Sequence, residues 1–332
     1  MAHEVENMMY VGEKPWHGLG VELKDPPTTE EAIRLSGLDW SVRTDPVYRM
    51  VADSDQQPTS EFEEVNAQVV IRESDNTVLG IVGPTYTPLQ NIEAFDWFQA
   101  FLDSGLASIE TAGSLRDGQR VWIMAKILAP NSVIVDGDEI EKKLLLVNGH
   151  DGKLAARAGF SPTRVVCANT LEWALQDERS SLIKVRHTAK IKENIDELRE
   201  VMNLVNQQFE AGAEQYRLLA ERDISITDLE KYIKVVFKLQ PKKNQVIDSS
   251  TVTVGEDEMK RTMGKIIPLF ESGRGSDIKG VRGTWWGAYN AISEHLTWER
   301  GKSQDNRINN LWFDQGRRLN KTALVTALKM SA

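Results

Sequence analysis

Five cationic side chains, Lys153, Arg157, Arg164, Lys184 and Arg186, lie in one stretch of the chain between residues 153 and 186. Cations spaced along extended backbone can neutralise successive phosphates of a nucleic-acid strand, so these five are the candidate contacts for single-stranded DNA. The same residues would also serve as an ordinary solvated sheet face. A second basic group, Lys231, Lys234, Lys238, Lys242 and Lys243, follows on one helix and its exit. Trp285 and Trp286 are large enough to stack on bases, but their place in a helical pattern points to core packing.

The residues that could support catalysis are sparse. The histidines are His3, His17, His150, His187 and His295, and none stands in a zinc-ligand spacing. Cys167 is the single cysteine. A nucleophilic thiolate needs a base and a lowered pKa, and the surrounding Val165-Val166-Cys167-Ala168-Asn169-Thr170 supplies neither. It reads as a small residue at a strand-to-helix junction. Gly273-Arg274-Gly275-Ser276 lacks the Gly-Lys-Ser/Thr ending of a phosphate loop, and no Gly-x-Ser-x-Gly elbow is present. These absences argue against an ATPase or a serine hydrolase. The expectation is no catalytic residue, no metal ligand and no cofactor.

Composition sets the frame. The 332 residues are 41% hydrophobic and carry a net charge of −9, which lowers the prior for nucleic acid without excluding a locally basic patch. One cysteine permits no internal disulfide, which suits a reducing, cytoplasmic compartment. The acidic opening Met1-Ala2-His3-Glu4-Val5-Glu6 does not resemble a signal peptide, and no apolar run approaches a membrane span.

The elements that would position these residues divide near residue 188. In the first part, Thr28 caps a short helix that ends near Gly37. Three hairpins follow. Val65–Arg72 and Thr77–Val82 flank Glu73-Ser74-Asp75-Asn76. Ala107–Ala112 and Gln119–Ile127 flank Arg116-Asp117-Gly118. Leu144–Val147 and Lys153–Ala158 flank Asn148-Gly149-His150-Asp151-Gly152, and Arg164–Cys167 reads as one more short strand. A helix covers Leu89–Leu102. Past Ala189 the pattern is helical, with segments near Thr227–Leu239, Glu256–Phe270, a helix capped by Thr284, and Arg318–Met330. The long helix among them repeats apolar or small residues at Ile191, Ile195, Leu198, Met202, Val205, Phe209, Gly212, Tyr216 and Leu219 in alternating steps of four and three. That is the seam of a coiled-coil-like pairing, within the chain or between copies.

Several motifs in order resemble a known family. They are Lys14-Pro15-Trp16-His17-Gly18-Leu19-Gly20, Arg164-Val165-Val166-Cys167-Ala168-Asn169-Thr170 and Arg186-His187-Thr188, then Gly283-Thr284-Trp285-Trp286-Gly287-Ala288-Tyr289-Asn290-Ala291-Ile292, and Asp305-Asn306-Arg307 with Trp312-Phe313. The chain resembles the phage/plasmid-like protein family, a numbered domain-of-unknown-function family carried by phages, prophages and mobile plasmids. The resemblance supplies no catalytic residues. The order of hairpins and long helix is also similar to phage single-strand annealing proteins such as lambda Red beta, as an analogy of architecture.

The expected fold is α+β: a curved antiparallel sheet with short helices over residues 1–188, then a helical region over 189–332, the two forming one continuous domain or two. The expected function is a non-enzymatic, homo-oligomeric DNA-binding protein of a mobile element, acting on single-stranded DNA in recombination or replication. Its oligomer seam would be Ile191, Ile195, Leu198, Met202, Val205 and Phe209. The alternatives are a protein-interaction module that modulates host defence or regulation, and a metal-dependent enzyme built around His17 or His150.

Overall fold

A computed structural model describes residues 5–12, 20–52, 57–154, 157–164, 166, 169–170, 182–183, 195–238, 254–300 and 315–332. The fold is α+β. Twelve strands occur among the described residues. They are β1 (Val5–Val11), β2 (Val21–Leu23), β3 (Val42–Ala52), β4 (Pro58–Arg72), β5 (Val78–Val82), β6 (Ala107–Leu115), β7 (Arg120–Ile127), β8 (Ser132–Val135), β9 (Asp138–Gly149), β10 (Arg157–Arg164), β11 (Asn169–Thr170) and β12 (Leu182–Ile183). The helices are α1 (Thr29–Leu35), α2 (Asn91–Asp103), α3 (Ile195–Ala220), α4 (Ile226–Val236), α5 (Val254–Ser272), α6 (Trp285–Glu294), continued by a π-helical turn at His295–Glu299, and α7 (Gln315–Ser331).

One sheet follows the order β11-β10-β9-β7-β6-β1-β2, with β8 on β9 and β12 on β10; the other is β3-β4-β5. The chain forms two compact units, each discontinuous in sequence. The first comprises residues 1–128, 144–159 and 182–199, and the second residues 129–143, 160–181 and 200–332.

Local chemistry explains the elements of the first unit. Thr28 caps α1 as half of a capping box, its hydroxyl accepting from the Glu31 N–H while the Glu31 carboxylate accepts from the Thr28 N–H. Asp117 and Gly118, both at positive φ, turn the β6–β7 hairpin. β7 buries both faces: Val121, Ile123 and Ala125 on one side and Trp122 on the other. Such a strand lies inside the sheet with layers above and below it. Val42, Val70, Leu79 and Val82 form a small core under the second sheet, with Trp40 and Tyr86 packed against it.

In the second unit, α6 is buried along its whole length. Thr284 caps it, accepting from the Gly287 N–H at 3.2 Å. Trp286 donates its indole N–H to the buried carboxylate of Asp138 at 2.8 Å, and its ring lies 4.9 Å from Tyr216 of α3. Both tryptophans are therefore core residues, as their helical spacing suggests.

The strand expected at Lys153–Ala158 begins only at Arg157, as β10. The strand expected at Arg164–Cys167 is instead the end of β10, and Val166 lies in a turn. Among the described residues, β1, β2, β3, β8, β11 and β12 are strands beyond those expected.

Candidate functional site: the turn after β9 and its basic neighbours

β9 ends at Gly149, and the next three residues make a tightly held turn inside the first unit. The His150 N–H donates to the Gln119 carbonyl at 2.8 Å, which ties the turn to the start of β7. A Cβ at Gly80 would sit 2.6 Å from the Asp151 Cα, so only glycine lets β5 approach this closely. Gly152 has φ +72°, a conformation that glycine adopts without strain. The Tyr86 hydroxyl donates to the Gly149 carbonyl at 3.2 Å, and the Asn148 amide donates to the Leu89 carbonyl at 3.0 Å.

The polar groups in the turn face inward. His150 is fully buried, with Nε2 3.0 Å from the Asn91 Oδ1 at the start of α2 and its ring 5.3 Å from Trp40. Asn91 spends its own amide on the Leu38 carbonyl at 3.1 Å, so its oxygen faces the imidazole. Burial lowers the His150 pKa to about 4, against a smaller raising effect from Asp151, so the ring is neutral at pH 7. Its Nδ1 has no hydrogen-bond partner among the described residues. Asp151 and Arg120 are both buried and form an ion pair at 3.8 Å. Beside them Arg72 reaches Glu6 and Asp75, each at 2.7 Å, and stands over Trp40. The Asp75 carboxyl is held far below the usual carboxylate range, first by its bond to Arg72. A neutral, enclosed imidazole braces the turn.

What this brace presents to solvent is Lys153. It is exposed, and its N–H donates to the Asp151 carboxylate at 2.9 Å. Arg157 and Arg164 are the first and last residues of β10. In the first unit β10 pairs antiparallel with β12, with Ala158 opposite Ile183 and Gly159 opposite Leu182. The neighbour of Arg157 is thus paired with the neighbour of Lys184. In the second unit β10 pairs with β11, with Arg164 opposite Asn169. Lys184, Arg186, Cys167, His17 and Ile191 lie outside the described residues.

The expected oligomer seam is described only in part. Ile195, Leu198, Met202 and Val205 fall within α3, and their side chains lie outside the description. Phe209 is buried in the second unit, with the Lys142 ammonium 6.0 Å from its ring centroid. Lys142 also pairs with Glu210 at 3.3 Å, and Glu210 accepts from the Ser132 hydroxyl at 2.6 Å. Gly212, Tyr216 and Leu219 are buried as well, so the described end of the stripe packs on its own unit.

Sequence reasoning missed the His150–Asn91 and Arg120–Asp151 pairs. The one local signal was an Asp flanked by glycine after a strand, which marks a constrained turn. Among the described residues, no helix is long and apolar enough to cross a membrane, and no three His, Cys, Asp or Glu residues gather as a metal site. No curated protein and no solved structure matches the chain. The family described as Domain of unknown function (DUF932) matches residues 78–324, well over half of the sequence and inclusive of the braced turn, β10 and α6, and the chain belongs to that family.

Proposed function

We propose that this chain is a non-enzymatic nucleic-acid-binding protein that takes single-stranded DNA along the start of β10 and the segment after β12. The reading rests on the pairing of Ala158 with Ile183, which brings the residues next to Arg157 and Lys184 together. Lys153 stands exposed on the braced turn of the same unit. The sequence from 182 to 192 holds four basic residues, Lys184, Arg186, Lys190 and Lys192, and no acidic one. Residues 1–128, in contrast, hold 9 basic against 21 acidic residues, so the net charge of −9 belongs to the N-terminal part of the chain. A local cationic strip can then act despite the acidic total, more strongly as salt falls. A role in the recombination or replication of a mobile element, as a homo-oligomer in the cytoplasm, is part of this proposal and follows the resemblance in motifs.

Fluorescence anisotropy with a labelled single-stranded oligonucleotide at low salt is the test. Binding should appear in the micromolar range and weaken about tenfold or more in Lys153→Ala/Arg157→Ala, a loss of about 1.4 kcal/mol. Lys153 is exposed and Arg157 is the first residue of β10, and a thermal melt that matches the wild type separates lost contacts from lost folding. No binding at tens of micromolar protein would overturn the reading in favour of a protein-interaction module.

A further inference from the structure

The loop between α5 and α6 contains Gly273-Arg274-Gly275-Ser276, rich in glycine but without the ending of a nucleotide phosphate loop. Its backbone is held from below. The buried carboxylate of Glu294 in α6 accepts from the Arg274 N–H at 3.1 Å and lies 3.9 Å from the Arg274 guanidinium. A Cβ at Gly273 would sit 2.7 Å from the same carboxylate, so glycine is what lets the loop close on it. Further turns follow, the Ser276 N–H donating to the Gly273 carbonyl at 3.1 Å and the Val281 N–H to the Ile278 carbonyl at 3.0 Å.

The Arg274 side chain is oriented as well. Its guanidinium stands over the half-buried Trp298 ring, 4.0 Å from the centroid, while the side chain is 51% exposed. An aromatic face orients a guanidinium without using its N–H donors, and the planar fork matches two phosphate oxygens. Lys279 and Arg282 of the same loop are exposed. Residues 273–283 thus carry three cations against one acidic residue, Asp277. Glu294 is engaged by the backbone N–H of the loop. The C-terminal end of α5 opposes an anion by about half a charge, which three cations exceed. We propose that this loop is a phosphate site. Arg274 takes the phosphate oxygens in its fork, Trp298 holds the guanidinium in place, and Lys279 and Arg282 add charge. The phosphate is either a free ion or one unit of a nucleic-acid strand, and the recognising chemistry is the same. All these residues lie in the second unit, and the site does not rest on the strip at β10.

Isothermal titration calorimetry of the full chain with sodium phosphate, in chloride buffer of matched ionic strength, is the test. The wild type should bind with a Kd of about 1 mM or tighter. Arg274→Lys keeps the charge but loses the fork, and should weaken binding about tenfold. Trp298→Leu should weaken it several-fold at unchanged net charge, which a loop that merely collects cations would not show. Lys279→Ala/Arg282→Ala should weaken it too, and carries the test on exposed positions if a melt shows that another variant fails to fold. Lys153→Ala/Arg157→Ala should bind phosphate as the wild type does, which separates this site from the strip at β10. Anisotropy with a labelled single-stranded oligonucleotide then names the source. Weaker DNA binding in Arg274→Lys marks a strand phosphate, and unchanged DNA binding beside weakened phosphate binding marks a free one. No saturable phosphate binding in the wild type, or equal affinity in Arg274→Lys and Lys279→Ala/Arg282→Ala, would overturn the proposal.

Discussion

His150 links the turn after β9 to α2, and its burial makes the stability of the first unit depend on pH. Its ring is buried and tied to Asn91, and the Asp151 beside it is paired with Arg120. The folded pKa of about 4 lies below the ordinary value of 6.5, so the unfolded chain binds the proton more tightly. Stability from this group is present above about pH 6.5 and is lost as pH falls towards 4. The full effect is on the order of 3 kcal/mol. Buried His295, also lowered by burial, acts in the same direction. Denaturant unfolding between pH 4 and 7 should therefore show stability rising with pH, and His150→Gln should flatten the slope without removing it. Equal slopes in the two proteins would mean that His150 is not held neutral by the fold. None of this pairing could be read from the chain, because Asn91 and His150 are separated by 59 residues.

At the level of elements, local signals succeeded where the chemistry was local. Thr28 and Thr284 stand as the expected caps, accepting from the N–H of Glu31 and of Gly287, and Asp117-Gly118 turns the hairpin it announces. β3 was missed for a physical reason: Val-Arg-Thr-Asp-Pro-Val-Tyr-Arg-Met-Val-Ala alternates poorly and contains Pro46, and most of its outer half is exposed. A strand with little burial leaves little pattern. β1 escaped notice because it buries three consecutive residues, Met8, Met9 and Tyr10, inside the sheet. The element most sensitive to change is α6. Trp286→Ala removes a fully buried ring and its bond to Asp138, and should cost about 3–5 kcal/mol, seen as a large fall in Tm. Gly287→Ala should cost about 1–3 kcal/mol, since its Cβ would meet the Val281 carbonyl oxygen at 2.3 Å. A melt unchanged in both variants would contradict the placement of α6 at the centre of the second unit.

Across the whole molecule, charge and connectivity carry the argument. The two compact units exchange chain at residues 129–143, 160–181 and 182–199, so β9, β10 and α3 each contribute to both. A division near residue 188 was the natural reading of a linear pattern, since the composition changes from strand-like to helical there. Periodicity along the chain has no means of recording which strand returns to which unit. Residues 1–128 hold 9 basic against 21 acidic residues and so carry the net negative charge, and a basic run without acidic residues follows β12. The central claim, that this run and its neighbours bind a phosphate backbone, is tested most directly by the salt dependence of single-stranded DNA affinity. Four contacts, from Lys153, Arg157, Lys184 and Arg186, predict a log–log slope near −3, at about 0.7 per neutralised phosphate. Changing Lys153 and Arg157 to alanine should bring that slope to roughly half. A slope near zero, or one that the double variant leaves unchanged, would contradict the account.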